Sequence, residues 1–365
     1  MSNDTKNKFP YKVELHIHLD GAVRSETILD ISKSKNRPII SIDDDGKQTV
    51  ITDLEALDKE VIIRHPCSLR EFLHTFNVFM PIIAGDKEAV SRIAYEFCED
   101  CSKSGIRYVE VRYNPHLLSN TLDKPDFARE RGNFSPRDVV ETVCDALERG
   151  SRDFNVTVNS ILCCMTHRPE WSAEVVALCK EFQHKGVVAL DIAGQDFKPG
   201  KDPLLCRHKK AFKEAYDHGV HRTVHAGENG PAEGVEEAID HMYAERIGHG
   251  YHMMDDPDLY SRCKKNGVHF EVCPASSIVT SACPVDIMKH PLIKFAEDGV
   301  NFSLNTDDPI ILDNTLDDDY VLAGKMGLSD EQIIQSIFNA ARASFGTAEQ
   351  KKKLLADLVE VYGEH

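Results

Sequence analysis

Residues 12–21 read Lys12-Val13-Glu14-Leu15-His16-Ile17-His18-Leu19-Asp20-Gly21. Side chains two apart in a β-strand point to the same side, so His16 and His18 project together. The apolar residues that alternate with them point the other way, toward packed helices. A strand that carries two imidazoles on one face and ends at Asp-Gly is typical of half a metal site at the mouth of a barrel. Taken alone, this stretch leaves open a second interpretation, a pair of hydrogen-bonded core histidines.

Three further motifs each follow a short apolar run. They are His225-Ala226-Gly227-Glu228, Gly248-His249-Gly250 and Asn305-Thr306-Asp307-Asp308-Pro309. They add two imidazoles and a pair of carboxylates to the histidines of the first strand. Imidazoles suit zinc well, and a catalytic zinc also needs at least one more protein ligand and an open position. The four motifs together therefore favour a catalytic metal site over a structural histidine pair.

Runs of strand length alternate with helical segments along most of the chain. Eight such runs lie at residues 12–18, 107–113, 156–165, 187–194, 221–227, 246–250, 269–274 and 301–307. We predict from them an α/β fold, a closed (β/α)₈ TIM barrel. A doubly wound open sheet is the alternative. It is disfavoured because no glycine-rich phosphate turn follows the first strand and because the candidate ligands come from many strands.

Two segments exceed ordinary connections between strands. Residues 19–106 form a predicted helical insertion after the first strand, and residues 329–344 and 347–362 form two extra C-terminal helices. No linker or low-complexity segment divides the chain, so we expect one domain over residues 1–365. Within the insertion, a helix-spaced apolar stripe consists of Leu69, Phe72, Leu73 and Phe76. Such a stripe either packs on the barrel or forms a lid over an aromatic ligand.

Composition and charge exclude several classes of partner. The formal net charge of −17 argues against binding to a nucleic acid polymer or an anionic membrane, because both require clustered basic residues. No apolar run reaches the roughly 20 residues of a membrane span. The polar N-terminus lacks the apolar core of a signal peptide, and the 11 cysteines are expected to be reduced thiols. We expect a cytoplasmic protein with a small-molecule partner, and a monomer is compatible with these features.

All candidate groups lie at or just past the C-terminal end of a predicted strand, where barrel active sites are built. In order and spacing, the motifs resemble the adenosine deaminase family of the amidohydrolase superfamily. The matching stretches are Val-Glu-Leu-His-Ile-His-Leu-Asp-Gly, Glu-Val-Arg-Tyr-Asn-Pro-His, Ser-Ile-Leu-Cys-Cys-Met, Leu-Asp-Ile-Ala-Gly, Thr-Val-His-Ala-Gly-Glu, Arg-Ile-Gly-His-Gly and Ser-Leu-Asn-Thr-Asp-Asp-Pro. The resemblance covers nearly the whole chain.

The resemblance implies one zinc ion per chain. Carried over by motif, its ligands would be His16, His18, His225 and Asp307. Neutral nitrogen donors and a carboxylate are groups that zinc accepts. Relatives with two metals add a carboxylated lysine at the end of the fourth strand, but here that strand ends with Asp191-Ile-Ala-Gly194. A single metal is therefore the better interpretation.

The resemblance also implies the catalytic roles. Glu228 would be protonated and would donate to N1 of the purine as C6 becomes tetrahedral. His249 and Asp308 would take and hold the proton of the attacking water. Asp308 would also contact the substrate, as would His18 beside it. The alternatives are a surface Glu228, a structural His249 between two turn glycines, and an Asp308 that caps a turn before Pro309.

The remaining substrate contacts implied by the resemblance concern the purine and the ribose. The backbone N–H of Gly194 would face N3 of the purine, where the missing side chain permits close approach. Asp20 would accept a hydrogen bond from the ribose 5′-hydroxyl. Relatives that act on nucleotides carry Asn at this position, and a carboxylate repels a 5′-phosphate. Asp20 therefore favours a free nucleoside.

The predicted reaction is hydrolytic deamination of adenosine, and of 2′-deoxyadenosine, to inosine and ammonia in purine salvage. A deaminase of the same superfamily that acts on adenine or N6-methyl-AMP is the first alternative. The second is a catalytically inactive protein that binds partners through its surface. A replaced metal ligand or a replaced Glu228 would favour this second alternative, and the sequence replaces neither.

Overall fold

An eight-stranded parallel sheet forms the centre of the molecule. The structure is a computed structural model, and it describes residues 8–42, 45–196 and 205–365. Its strands are β1 (Lys12–His18), β2 (Ile39–Ile42), β3 (Gln48–Ile51), β4 (Ile106–Tyr113), β5 (Thr157–Met165), β6 (Val187–Ala193), β7 (His221–Ala226), β8 (Arg246–His249), β9 (His269–Val272) and β10 (Phe302–Leu304). The large sheet has the order β1-β4-β5-β6-β7-β8-β9-β10, and β2 and β3 form a separate antiparallel pair.

The barrel closes between its first and last strands at the predicted site. Past the end of β10, Asp307 forms a parallel bridge with Ile17 of β1. The backbone N–H of His18 donates to the carbonyl oxygen of Asp307 at 2.9 Å, and the N–H of Asp307 donates to the carbonyl oxygen of His16 at 3.1 Å. The predicted eight-stranded barrel is confirmed, and the segment that closes it carries three of the predicted metal ligands.

Helices surround the barrel, and each barrel strand is followed by at least one of them. They are α1 (Ser25–Ser34), α2 (Leu54–Val61), α3 (Leu69–His74), α4 (Phe76–Ile83), α5 (Lys87–Lys103), α6 (Pro115–Leu118), α7 (Pro136–Phe154), α8 (Ser172–Phe182), α9 (Leu205–Asp217), α10 (Ala232–His241), α11 (Pro257–Asn266), α12 (Pro274–Val279), α13 (Pro291–Asp298), α14 (Pro309–Leu312), α15 (Leu316–Lys325), α16 (Asp330–Ala343) and α17 (Ala348–Tyr362). In the part of the chain that the structure describes, no helix is long and apolar enough to cross a membrane.

The helical insertion and the two C-terminal helices are present where the sequence predicts them. Helices α1 to α5 lie between β1 and β4, and α16 and α17 follow the barrel. Both C-terminal helices begin with a capping box, in which the side chains of Ser329 and Thr347 accept from the backbone N–H three residues later. The insertion also contains the hairpin of β2 and β3. Its strands have only four residues each, too few for a clear alternation of apolar and polar residues.

The start of α13 is set by a proline. This helix precedes β10 and begins at Pro291. Proline has no N–H and restricts the residue before it to extended conformations, which favours a helix start at this position. The side chain of His290 caps the new helix, since its Nδ1 accepts from the backbone N–H of Leu292 at 3.0 Å.

A network of buried charges crosses the barrel interior. Arg112 of β4 contacts Asp191 of β6 at 2.9 Å and Glu271 of β9 at 2.7 Å. Arg246 of β8 contacts Glu110 of β4 at 2.6 Å and the same Glu271 at 2.7 Å. Strands β4 and β9 are not neighbours in the sheet, so these contacts span the interior. We refer to these five residues as the interior ion network.

Candidate metal centre and active site

The predicted site residues converge at the C-terminal ends of the barrel strands. The side chains come from the ends of β1, β7 and β8 and from the loops that follow β1, β6, β7 and β10. They are His16, His18, Asp20, Gly194, His225, Glu228, His249, Asp307 and Asp308. All of them except His16 line a single cavity of about 520 Å³. This volume lies within the range of small-molecule sites, about 300–1,000 Å³.

The four predicted metal ligands face one another at short distances. His16 Nε2 and His18 Nε2 lie 3.2 Å and 3.3 Å from Asp307 Oδ1. His18 Nε2 lies 3.3 Å from His225 Nε2. Bonds of about 2.0–2.2 Å to a tetrahedral zinc place neighbouring ligand atoms roughly 3.3–3.5 Å apart. The spacing of these donor atoms therefore fits a zinc ion.

The orientation of the imidazoles also fits a metal. His16 Nδ1 lies 2.8 Å from Glu271 Oε2, and His225 Nδ1 lies 3.0 Å from Asp191 Oδ2. An ionised carboxylate only accepts hydrogen bonds, so the Nδ1 atom of each imidazole carries the proton. The Nε2 atom of each then presents a lone pair to the other predicted metal ligands, which together we call the donor cluster. His16 Nε2 is buried and has no hydrogen-bond partner among the residues that the structure describes. A buried lone pair of this kind is what a metal ion would satisfy.

Two overlapping groups of donors are available at this position. The donor atoms of His16, His225, His249 and Asp307 lie within 4.8 Å of one another, and so do those of His18, Asp307 and Asp308. His249 therefore belongs geometrically to the donor cluster, although the family resemblance implies a catalytic role for it. Asp307 is common to both groups.

Burial and neighbouring charges set the protonation of the donors. Burial lowers the pKa of His225 to about 4, which leaves it neutral and able to bind a metal at neutral pH. Burial also lowers the pKa of His249 well below its usual range. For Asp307 burial acts in the opposite direction, but the adjacent imidazoles of His16 and His18 outweigh it and hold its pKa well below the usual range.

Two other carboxyls at the rim show the opposite behaviour. Burial, and then the charges of Asp196 and Asp307, raise the pKa of Glu228 well above its usual range. Burial, and then the charges of Asp307 and Asp20, do the same for Asp308. Glu228 Oε2 lies 3.8 Å from His249 Nε2. The rim therefore holds a neutral imidazole beside a carboxyl that retains its proton, which is a donor–acceptor pair for proton transfer.

Backbone conformations at the site are unusual. His249 and Asp307 have φ angles of 63° and 70°, a left-handed region that non-glycine residues seldom occupy. Gly21 lies against Asp308, and a Cβ atom at Gly21 would come within 1.8 Å of Asp308 Oδ1. Gly21 of the first motif is therefore required, because Asp308 of the last motif lies too close to leave room for a side chain.

The apolar stripe of the insertion faces the cavity. Leu69, Phe72, Leu73 and Phe76 all line it, from α3 and the start of α4. Phe72 and Phe76 are also buried in the main hydrophobic core. The same side chains therefore pack on the barrel and line the cavity, and their role as a lid over an aromatic ligand stays a prediction.

Other residues at the site were not singled out in the sequence analysis. Ser276 Oγ donates to Asp307 Oδ2 at 2.7 Å, and Thr280 Oγ1 donates to Glu228 Oε1 at 3.3 Å. The ion-network residues that hold His16 and His225 were missed as well. A usable signal was present for these, since Asp191 and Glu271 are acidic residues among the apolar residues of their strands. Ser276 and Thr280 offer no such signal because hydroxyl residues are common on helices.

Comparisons with known proteins agree with the fold and the motifs. A family model described as adenosine deaminase matches residues 11–361. The adenosine deaminase of Xenopus laevis is 47% identical over 358 residues, covering 96% of each chain.

Two solved structures share the fold at lower identity. An amidohydrolase from Burkholderia ambifaria, solved with bound Zn, has a TM-score of 0.80 and 23% identity, covering 99% of this chain and 93% of its own. The N6-methyl-AMP deaminase of Arabidopsis thaliana has a TM-score of 0.78 and 23% identity, covering 99% of this chain and 100% of its own. Given the family match over nearly its whole length, the chain belongs to the adenosine deaminase family of hydrolytic deaminases.

Proposed function

We propose that this protein binds one zinc ion through His16, His18, His225 and Asp307 and hydrolyses adenosine to inosine and ammonia. 2′-Deoxyadenosine is the second expected substrate. The observation that carries the proposal is the juxtaposition, in one cavity, of this donor cluster and the buried carboxyl of Glu228. The similarity to the Xenopus laevis adenosine deaminase and the Zn bound by the Burkholderia ambifaria amidohydrolase support it.

The protein's own groups can move the protons that the reaction requires. Zinc, when bound, supplies the Lewis acidity that makes hydroxide available near neutral pH. Water adds to C6 of the purine, and His249, which burial keeps neutral, accepts a proton from it. Asp308 lies beside Asp307 on the cavity wall and holds the attacking water in place.

Glu228 supplies the second proton transfer. Its carboxyl stays protonated because burial and the nearby acids raise its pKa. It donates to N1 of the ring as C6 becomes tetrahedral. The proton that His249 took from the water then passes to the amino group, and the bond from C6 to that nitrogen breaks. The proton of the C6 hydroxyl returns to Glu228 as the C6 carbonyl forms. Adenosine and water thus give inosine and ammonia, with no other reactant consumed.

The cavity walls favour a purine nucleoside. The apolar side chains of the insertion cover an aromatic ring, and Gly194, with φ at 105°, offers backbone without a side chain. Asp20 is 7% exposed and places a carboxyl at the cavity wall, where a 5′-phosphate would meet an acidic group. Because the insertion forms one wall of the site, we interpret residues 1–365 as one barrel domain with a helical lid.

A spectrophotometric assay with four substrates tests the proposal. The purified protein is given adenosine, 2′-deoxyadenosine, adenine and N6-methyl-AMP, before and after chelation and after zinc is restored. We expect turnover of the two nucleosides, its loss on chelation and its recovery with zinc. Turnover of N6-methyl-AMP or adenine alone would overturn the substrate assignment, and full activity in protein shown to be metal-free would overturn the metal.

A further inference from the structure

Helix α12 and Thr280, the residue that follows its last turn, present two buried hydroxyls to two chemically different parts of the site. Ser276 and Thr280 are four residues apart, so they lie on the same side of this helical turn. The backbone N–H of Thr280 donates to the carbonyl oxygen of Ser276 at 2.8 Å, which shows that the turn is continuous. Ser276 contacts the donor cluster through Asp307, and Thr280 contacts Glu228. One helical turn therefore fixes the distance between the metal donors and the acid.

The loop that carries Glu228 is also held on its other side. Asn229 Nδ2 donates to the carbonyl oxygen of Thr280 at 3.2 Å. The backbone N–H of Asn229 donates to Asp196 Oδ2 at 2.9 Å. Thr280 is 1% exposed and Glu228 is 4% exposed. The carboxyl therefore has a fixed position, and its two oxygens face different partners.

The two oxygens of Glu228 are not equivalent. Oε1 lies 3.3 Å from the hydroxyl of Thr280, and Oε2 lies 3.8 Å from His249 Nε2. A neutral carboxyl has one carbonyl oxygen, which accepts, and one hydroxyl oxygen, which donates. A hydroxyl that donates to Oε1 selects Oε1 as the carbonyl oxygen.

We propose that Thr280 is a positioning residue that keeps the acidic proton of Glu228 on Oε2, the oxygen on the side of His249. This inference rests on the proposed function, because it specifies which oxygen of Glu228 delivers the proton to the purine. Without the hydroxyl, the proton is shared between Oε1 and Oε2, and a proton on Oε1 points toward α12 and away from His249.

Other titratable groups also face Glu228. They come from the loop after β6, the rim after β10, the end of β8 and the segment after α12, and they are Asp196, Asp307, Asp308, His249 and Cys283. The hydrogen bond from Thr280 acts against the charges of the three aspartates, since it favours the ionised form of Glu228. Removal of this hydrogen bond should therefore raise the pKa of Glu228 further.

The test uses the zinc-loaded full-length protein and four variants. Thr280→Val replaces the hydroxyl by a methyl group, Thr280→Ala removes it without adding apolar volume, and Thr280→Ser retains it. Ser277→Ala is the matched control, because Ser277 is a buried hydroxyl on the same helix that contacts Pro274 and His290 instead of the site. Metal content and thermal unfolding are measured for every variant.

We expect Thr280→Val and Thr280→Ala to lower kcat on adenosine by about tenfold. Sharing of the proton between the two oxygens accounts for about twofold, and the rest comes from loss of a hydrogen bond that strengthens as Glu228 gives up its proton. KM should change less than about threefold, since ground-state binding is kept. The basic limb of the kcat profile should move to higher pH. Thr280→Ser should restore most of kcat, and Ser277→Ala should behave as wild type.

Infrared difference spectroscopy supplies a readout that does not depend on turnover. The carbonyl stretch of protonated Glu228 is assigned by its loss in Glu228→Gln, and it should move to higher wavenumber in Thr280→Val because Oε1 no longer accepts a hydrogen bond. An unmoved stretch overturns the inference whatever the substrate is. A wild-type kcat in both Thr280→Val and Thr280→Ala would also overturn the inference. The same holds for a loss of kcat that only follows a loss of metal or of folded protein. If the wild-type protein does not deaminate adenosine but the stretch still moves in Thr280→Val, the proposed substrate is wrong and the assignment of the Thr280 hydroxyl stands.

Discussion

Glu228 and Asp308 at the rim of the barrel and Glu271 of the interior ion network are all buried but differ in protonation. At the rim, Glu228 and Asp308 have pKa values well above the usual range, because burial and neighbouring acids disfavour their charge. In the interior, burial acts on Glu271 in the same direction, but Arg112 and Arg246 outweigh it and hold the pKa well below the usual range. The two arginines thus account for the difference between the ionised Glu271 and the protonated Glu228 and Asp308.

We call the carboxyls Glu228 and Asp308 with His249 the rim layer, and the interior ion network the interior layer. The two layers have different functions because their carboxyls differ in protonation. The ionised Glu271 and Asp191 accept from the Nδ1 atoms of His16 and His225, and so direct the Nε2 lone pairs of these imidazoles upward into the donor cluster. At the rim, by contrast, His249 Nδ1 and Asp308 Oδ1 are buried, and neither has a hydrogen-bond partner in the described part of the chain. We infer that the interior layer orients the metal donors and the rim layer performs proton transfer.

The largest effect is expected where the two layers meet. His16→Ala removes the imidazole that connects Glu271 to the donor cluster, so we expect loss of bound metal and of all measurable turnover. Elemental analysis and the adenosine assay measure both. His269→Gln is the matched control, because His269 is a buried histidine that contacts Asn301 and Ser303 at the other end of the strands. Full metal occupancy in His16→Ala would contradict the ligand assignment.

A change at the rim should affect the chemistry alone. Glu228→Gln keeps the shape of the side chain but cannot deliver the proton, so kcat should fall by roughly 10²–10⁴. Metal content and unfolding temperature should stay at wild-type values. Glu245→Gln is the control, since Glu245 pairs with His221 and Arg222 away from the cavity. Turnover near wild type in Glu228→Gln would remove this residue from the mechanism.

The same substitution in the interior should have the converse effect. Glu271→Gln leaves Arg112 and Arg246 buried with one negative charge fewer, which should lower the free energy of unfolding by about 3–5 kcal/mol. Metal affinity should fall by about 10–100-fold because His16 loses its charged partner. Urea unfolding and metal titration measure these effects. If Glu271→Gln and Glu228→Gln give the same profile of stability, metal affinity and kcat, the two layers do not differ in function.

The sequence reveals the rim better than the interior. His16, His225 and Asp307 each end an apolar run, and the barrel topology brings such strand ends together, so motif and fold suffice to predict that they meet. The apolar stripe of the insertion is also visible from its spacing. These features depend on local patterns, which a single sequence displays.

The interior network depends on pairings that no local pattern encodes. Arg112 and Glu271 are 159 residues apart in sequence and on strands that are not neighbours in the sheet. Their contact depends on the closure of the barrel and on the register of several strands. The two groups of donors also overlap. The geometric group of four contains His249 and lacks His18, whereas the ligand set implied by the motifs contains His18 and lacks His249. Distances within an ångström decide such assignments, and a sequence does not contain them.

The smallest expected effect is a pH dependence of stability that originates at the N-terminal end of the strands. Burial lowers the pKa of His269 from its ordinary value of 6.5 to about 4. Below pH 6.5 the unfolded chain therefore binds a proton at this residue that the folded protein does not bind. The free energy of unfolding should fall as the pH drops from 6.5 toward 4, by at most about 1.4 kcal/mol per pH unit from this one histidine.

His269→Gln removes this contribution while it leaves the rim intact. Urea unfolding of the zinc-saturated protein at pH 7, 6 and 5 should give a flatter dependence on pH for the variant than for wild type. The acid loss of metal is common to both proteins, so it cancels in the difference between them. Above pH 6.5 the two curves should run parallel, since His269 is neutral in both states there. Parallel curves down to pH 5 would show that His269 is protonated in the folded protein, and that the interior is less well shielded from protons than the rim.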